Sequence, residues 1–238
     1  GETQRDKIEK YVSYGTPYLG SVAAPMVCLT GMFEAMTGDI VFDANGQGQT
    51  SLGEKSIVLE TIAHSAVKNV VVPFLAANFA SVYELFPSEK YFEYIGPYLT
   101  NERAGDDLVT NEEYIVTTYE DTMRSIRENM LGCNRDMLEH AKVFHRSLYQ
   151  NNQHITTLVD STYVYSTGKH TATHIVLHDD LIYRYTNYFS EVGDRVVHSG
   201  SATIGHSSQE YPTVNVGHSD LVESENNNWK DIFGFLEE

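Results

Sequence analysis

Residues 192–218 decide the fold, and they read VGDRVVHSGSATIGHSSQEYPTVNVGH. An acid, Asp194, follows a glycine near the start of this stretch, and His218 closes it. The alternating run 211–216 indicates a β-strand, so His218 stands in the loop after a strand. A carboxylate that holds one nitrogen of an imidazole leaves the other nitrogen able to act as a general base. The stretch therefore predicts an acid–base pair assembled from two loops.

An acid followed by a histidine is the order of the last two members of a Ser-Asp-His triad in an α/β-hydrolase. Asp194 is accordingly the predicted catalytic acid and His218 the predicted base. Taken singly, each has an ordinary interpretation, as a turn aspartate and as one of ten histidines. The strand before His218 and the helical pattern after it favour the catalytic interpretation of the pair.

The nucleophile of such a triad stands upstream, on a Gly-x-Ser-x-Gly elbow, and none of the 238 residues forms one. Residues 205–209 (GHSSQ) open like an elbow but lack the closing glycine and fall between acid and base. Ser199 and Ser201 are interpreted as loop hydroxyls near the acid. The sequence therefore predicts two thirds of a triad.

Composition argues against several other functions. The net charge of −17 disfavours a nucleic-acid partner, and no apolar run approaches the ~20 residues of a membrane helix. Cys28 and Cys133 have no CxxC spacing, so two buried thiols are expected, or one long-range disulfide if the protein is exported. If this chain is part of a longer protein, called the parent below, two compartments remain open. The parent is expected to be secreted or at the cell surface if it carries a signal peptide, and cytoplasmic otherwise.

A metal site at His170 and His174, with Asp179 and Asp180 nearby, is a weaker hypothesis. Histidines four residues apart converge on a helix, and this region has the alternation of a strand. Exposed histidines beside a hairpin are the expected outcome, and no metal or organic cofactor is predicted.

Patterning divides the chain into three segments. Residues 1–52 contain a core strand, Lys10–Tyr14, and a glycine- and proline-containing turn. Residues 53–155 have a mainly helical pattern, as in a hydrolase lid, and residues 156–238 return to strands at 159–165, 174–178, 181–185 and 211–216 before a terminal helix. The predicted helical stripes are Ile115, Tyr119, Met123, Ile126 and Met130; Leu138, Ala141, His145 and Leu148 after an Asn134 cap; and Trp229, Ile232, Phe233 and Leu236 after a Ser224 cap.

Five motifs resemble the lecithin:cholesterol acyltransferase-like lipase family and occur in that family's order. They are Gly15-Thr16-Pro17-Tyr18-Leu19-Gly20-Ser21, the proline-ended segment from Ser81 to Ser88, Phe144-His145, Gly193-Asp194 with Val196, and Ser201-Ala202. The resemblance extends from Tyr11 to Leu236. It implies an α/β-hydrolase fold with a helical lid, and ester hydrolysis or acyl transfer on lipid-like substrates, with Asp194 as the acid and His218 as the base.

The chain departs from this family in two respects. The family's Gly-Asp-Gly-Thr-Val run is Gly-Asp194-Arg195-Val196 here, which puts a cation beside the carboxylate. Arg195 is expected to face away from the imidazole, because neighbours on an extended segment point opposite ways. The family's N-terminal half, with the serine and the oxyanion donors, has no counterpart in this sequence.

Two functions remain open at this point. In the first, the chain is the C-terminal part of a serine lipase, esterase or acyltransferase, and its partners are a lipid or other acyl-ester substrate and the N-terminal half. In the second, it is a non-catalytic binding or structural module derived from a hydrolase. Without the preceding half, the strand Lys10–Tyr14 would have an unpaired edge, so self-association is also expected.

Overall fold

The computed structural model describes residues 8–30, 40–42, 48–50, 72–104, 111–115, 118–178, 185–204, 209–223 and 229–237. Helices and strands are mixed along the chain, as expected for the predicted α/β class. The helices are α1 Ala23–Thr30, α2 Val72–Ala76, α3 Ala80–Glu84, α4 Glu89–Tyr94, α5 Tyr119–Asn129, α6 Arg135–Ser147, α7 Ser199–Ala202 and α8 Trp229–Glu237. The strands are β1 Lys10–Tyr14, β2 Ile40–Phe42, β3 Gly48–Thr50, β4 Leu99–Ala104, β5 Asn111–Ile115, β6 Tyr149–Gln150, β7 Gln153–His154, β8 Asp160–Thr167, β9 Lys169–His178, β10 Tyr185–Gly193 and β11 Gln209–Val214.

A parallel sheet has the order β1-β8-β11 in the described residues. Lys10 is opposite Asp160, and Gln209 is opposite Thr162. The sequence predicts all three strands, with ends that differ by one or two residues for β8 and β11. Parallel strands end at the same edge of a sheet, so the segments after β8 and β11 start close together.

A second sheet, in the order β10-β9-β4-β5, crosses the predicted boundary at residue 155. β9 and β10 form an antiparallel hairpin, with Tyr185 opposite Leu177. The second strand of the predicted hairpin, 181–185, overlaps β10 only at Tyr185, and residues 179–184, with the predicted Asp179-Asp180 turn, lie outside the described residues. β4 then pairs with β9 in parallel and β5 pairs with β4, so the predicted helical block 53–155 contributes two strands. The two segments on either side of residue 155 therefore share a sheet.

The predicted stripe from Ile115 to Met130 begins too early. Ile115 belongs to β5, opposite Thr100, and the helix starts only after Thr118, whose hydroxyl accepts the Asp121 amide at 3.1 Å. A threonine cap satisfies an amide that the first helical turn leaves free, and here it overrides the apparent spacing of Ile115. The rest of the stripe is correct, since Met123, Ile126 and Met130 are buried.

The next helix, α6, follows the prediction closely. The Asn134 side chain accepts the amides of Asp136 and Met137 at 3.0 and 3.2 Å, which confirms it as the N-cap. Leu138, Ala141 and His145 are buried, and one apolar cluster contains residues from all three predicted segments. The helical segment is thus packed into the same core as the parallel sheet.

The predicted buried face of α8 is rotated by part of a turn from the observed buried face. Ile232 and Phe235 are buried, whereas the predicted Phe233 and Leu236 are 56% and 46% exposed. The predicted cap, Ser224, lies outside the described residues. Trp229 packs against Tyr14 at 5.8 Å between ring centroids, so α8 lies against β1.

Two further observations bear on the sequence predictions. Cys28 is buried and Cys133 half-buried, and both are free thiols. Among the described residues, no helix combines the length and apolar character that a membrane crossing needs.

Candidate active site

Asp194 is held in a tight loop directly after β10. Its side chain is almost fully buried, and Oδ1 accepts the main-chain amides of Val196 at 3.0 Å and Val197 at 2.7 Å. The Asp194 amide also donates to the Val197 carbonyl at 3.2 Å. An aspartate that bonds to amides two and three residues ahead stabilises its own turn and fixes its carboxylate.

The position of this loop differs from the sequence expectation in one respect. The triad pattern leads one to expect the acid after a strand of the parallel sheet, but β8 ends at Thr167 and the β9–β10 hairpin intervenes before Asp194. The acid is therefore delivered by an antiparallel strand of the second sheet. A bridge between Gly193 and His198 closes its loop.

His218 follows β11 and meets the acid from the other side. Its Nδ1 lies 2.7 Å from Asp194 Oδ2, and its main-chain amide donates to the Asp194 carbonyl at 2.9 Å. The bend before it contains Asn215, whose φ of +64° is left-handed and whose amide donates to the Thr167 carbonyl at 2.6 Å. The contact predicted between Asp194 and His218 is present.

The two side chains differ in exposure. The Asp194 side chain is 2% exposed and that of His218 is 39% exposed. The hydrogen bond to Asp194 raises the pKa of His218 above its ordinary value, although burial opposes this and the carboxylate charge adds to it. Within the described part of the chain, Nε2 of His218 bonds to no other side chain. This is the arrangement of a general base whose outer nitrogen can take a proton.

Gly15, at the end of β1, is packed directly against the pair. A Cβ at this position would lie 2.9 Å from Asp194 Oδ2, 3.0 Å from His218 Nδ1 and 2.7 Å from Leu221 Cδ1. Its φ of +54° is left-handed, and its amide donates to the Val164 carbonyl at 2.8 Å. A glycine is therefore required here by both the backbone and the contact.

The turn after Gly15 is bonded to two others of the five family-like motifs. Ser201 is fully buried, accepts the Leu19 amide at 3.1 Å and donates to the Gly20 carbonyl at 2.7 Å. The Ser21 amide donates to the Leu85 carbonyl at 2.8 Å.

The same turn also reaches the acid loop. The Ser21 hydroxyl donates to the Val196 carbonyl, and a Cβ on Gly20 would lie 2.2 Å from the Phe86 carbonyl oxygen. Four of the five motifs therefore form one bonded cluster around the acid. The sequence interpretation of Ser201 as a loop hydroxyl misses this bridging role, which depends on residues about 180 positions away.

Arg195 does not take the carboxylate. No ion pair joins it to Asp194 in the described structure, and a Cβ on Gly217 would lie 3.7 Å from its guanidinium. The reason given from the sequence is wrong, however. Arg195 is not extended: its φ is +87°, in the left-handed region that non-glycine residues rarely adopt.

Other residues named from the sequence lie away from this pair. His145 is buried and lines an apolar cavity of about 700 Å³ beside β1, where burial lowers its pKa and the Glu84 and Phe86 carbonyls partly offset the lowering. It makes no described hydrogen bond to Asp194 or His218. His145 is buried and Phe144 is half-buried on α6, which fits a packing role.

The histidines of β9 have separate partners. His170 lies 3.5 Å from Glu191, and His174 Nε2 lies 2.6 Å from the Thr100 hydroxyl. Four strand residues span about 13 Å, too far for two ligands of one ion, and the described residues contain no metal-binding cluster. Asp179, Asp180 and most of the elbow-like run 205–209 lie outside the described residues.

Comparison with known proteins adds evidence about the fold only. No family model and no curated protein matches the sequence. Among solved structures, the chain is similar to a chain of the Tle4–Tli4 complex, at a TM-score of 0.51 and 13% sequence identity. The match covers 95% of this chain and 54% of that one. This chain thus spans about half the length of its structural neighbour.

Proposed function

We propose that this chain is the C-terminal part of a serine lipase, esterase or acyltransferase of the α/β-hydrolase type, with Asp194 as acid and His218 as base. One observation carries the proposal: a buried carboxylate lies 2.7 Å from Nδ1 of a half-exposed imidazole, with the histidine after the last parallel strand. Their chain order is that of the triad in this type of enzyme.

The proposed chemistry assigns a separate task to each group. Nε2 of His218 takes the proton of a serine hydroxyl during attack on an ester carbonyl and later gives it to the leaving alcohol. Asp194 keeps Nδ1 protonated and stabilises the imidazolium that forms, in agreement with the raised pKa of His218. The amides of Val196 and Val197 hold the carboxylate so that one oxygen remains directed at the imidazole.

Membership in the lecithin:cholesterol acyltransferase-like lipases belongs to the same proposal. Its support is that four of the resembling motifs, separated along the chain, are neighbours around Asp194. A lipid-like ester is the proposed substrate class, for hydrolysis or for acyl transfer.

The preceding half of the enzyme supplies the serine and the oxyanion donors in this proposal. β1 has an unpaired edge among the described strands, and the apolar cavity beside it is lined by Ile8, Tyr11 and Leu148. A further parallel strand could pair with that edge. The neighbour of twice the length is compatible with such a half.

Activity of the intact parent tests the assignment. His218→Ala should remove nearly all turnover of a p-nitrophenyl ester, and Asp194→Asn should lower kcat by ~10⁴, the loss seen when a triad histidine adopts the wrong tautomer. His140→Ala and Asp160→Asn, at exposed positions on α6 and β8, are the matched controls. Near-normal turnover in both test variants would contradict the proposed roles.

The 238-residue chain provides a second test. Without a nucleophile and oxyanion donors it should show no measurable esterase activity and no serine-directed labelling. Labelling that a single serine substitution in this chain abolishes would show that the nucleophile is already present. A parent that binds lipid esters but never turns them over would instead indicate the non-catalytic module.

A further inference from the structure

Thr171, on β9, contacts the acid loop from the second sheet. It is fully buried, and its Oγ1 accepts the main-chain amide of Arg195 at 3.0 Å while donating to the Lys169 carbonyl at 3.0 Å. Arg195 directly follows Asp194. A side chain on β9 therefore accepts the hydrogen bond of the Arg195 amide, which lies in the middle of the turn that holds Asp194.

This amide belongs to the strained residue of the loop. The φ of Arg195, +87°, is unfavourable for a residue with a side chain and persists only where surrounding contacts impose it. Gly193 makes the approach possible, because a Cβ there would lie 2.7 Å from Thr171 Oγ1 and 2.1 Å from the Val197 carbonyl oxygen. The glycine before the acid and the threonine on β9 thus act together.

We propose that Thr171 is a positioning residue for Asp194: its hydroxyl holds Arg195 in the left-handed turn that directs the carboxylate at His218. This role depends on the proposed function of the acid–base pair and deepens it. Through Thr171, the β9–β10 hairpin, which lies between β8 and β11 along the chain, contributes to the site.

The hydrogen bond between Thr171 and the Arg195 amide should control the direction of the Asp194 carboxylate as well as the stability of the turn. Oδ1 of Asp194 is bonded within the loop to Val196 and Val197, so the plane of the carboxylate turns with the backbone of the loop. If the Arg195 amide loses its acceptor, it must find another partner or water, because an unpaired buried amide is costly. The turn then rotates, and Oδ2 leaves Nδ1 of His218.

The test is an NMR titration of the His218 ring in the 238-residue chain, assigned by its loss in His218→Gln. The wild-type midpoint should lie above the ~6.5 of a free imidazole. Thr171→Val keeps the shape but removes the acceptor, so the midpoint should fall towards ~6.5. Thr171→Ser, which restores the hydroxyl, should return the midpoint to the wild-type value.

A general loss of stability would not move this midpoint. Tyr83→Phe is the matched control, because it removes a buried hydroxyl that bonds to Ala77 at 2.9 Å and Asn134 at 2.8 Å, away from the acid. It should lower the melting temperature and leave the His218 midpoint unchanged. Of the charged groups near His218, Asp194 bonds to it, and Arg195 and Asp220 lie beside the adjacent Gly217; the variants change none of these.

The outcomes separate the two proposals. An unchanged midpoint in folded Thr171→Val would overturn the positioning role and leave the acid–base pair standing. A wild-type midpoint at or below that of a free imidazole would instead reject the pair. If the valine variant does not fold, hydrogen exchange of the wild-type chain decides: the Arg195 amide should be protected, and rapid exchange would refute the bond to Thr171.

Discussion

Replacing Gly15 by alanine should break the acid–base pair without unfolding the chain. The new methyl group would lie within 3.0 Å of three side chains, those of Asp194, His218 and Leu221. Asp194 and Leu221 are each 1% exposed and are held by their surroundings, whereas the His218 side chain is 39% exposed. His218 is therefore the group that moves, towards solvent and away from the carboxylate.

Two terms set the magnitude of the effect on stability. A left-handed residue with a Cβ costs roughly 1–2 kcal/mol, and a methyl group forced into a packed site costs about 1–3 kcal/mol. Since His218 can relieve part of the clash, we expect the free energy of unfolding to fall by about 2–3 kcal/mol. The loss of the bond to Asp194 should also return the pKa of His218 towards its ordinary value.

Urea denaturation and NMR titration of His218 measure the two effects separately. Gly96→Ala is the matched control, because Gly96 has a φ of +121° and a Cβ at its position would meet no atom within 4 Å, so this variant reports backbone strain alone. It should be destabilised without any change at His218. A Gly15→Ala variant whose His218 midpoint equals that of the wild type would refute the reasoning, whatever its stability.

Three further predictions concern pH and association. Since the bond to Asp194 raises the pKa of His218, its contribution to stability is complete below about pH 6.5 and is lost as the pH rises through the folded-state pKa. Asp194→Asn should abolish this pH dependence of the unfolding free energy, and an unchanged profile would contradict it. Burial lowers the pKa of His154 to about 4, so its contribution is present above about pH 6.5 and is lost as the pH falls towards 4, roughly 3 kcal/mol in all. His154→Asn, which can still accept the Thr156 amide, should therefore flatten the acid limb of the stability profile, and His140→Asn should not. Finally, sedimentation should show concentration-dependent self-association through the β1 edge, and a compact monomer at all concentrations would indicate that the edge is covered.

Features that depend on near neighbours in sequence are those the sequence predicts well. The Asn134 cap, the buried stripe of α6 and the end of α3 at Glu84 before Pro87 follow from contacts within one or two helical turns. The strands β1 and β8 follow from alternation and from the glycines that end them. The meeting of Asp194 with His218 follows from the order of acid and base along the chain, although Asp194 comes after an antiparallel strand and not after the expected strand of the parallel sheet.

Pairings between distant segments were not predictable from local pattern. β4 is six residues long, begins with the buried Leu99 and Thr100, and forms only because β9, some 75 residues later, offers it a parallel edge. The left-handed turn at Arg195 likewise depends on Thr171 and on the missing side chain of Gly193. Neither Thr171 nor Gly193 stands in a recognisable local sequence pattern, because the role of each depends on the distant residues that it contacts.

The second sheet links the helical segment to the acid through one strand. Leu99 of β4 is opposite Ile175 of β9, and Thr171 lies four residues earlier on that same strand. The Thr171 hydroxyl accepts the Arg195 amide at 3.0 Å, so β4 is connected to the turn at Asp194 through one continuous strand, with no loop between.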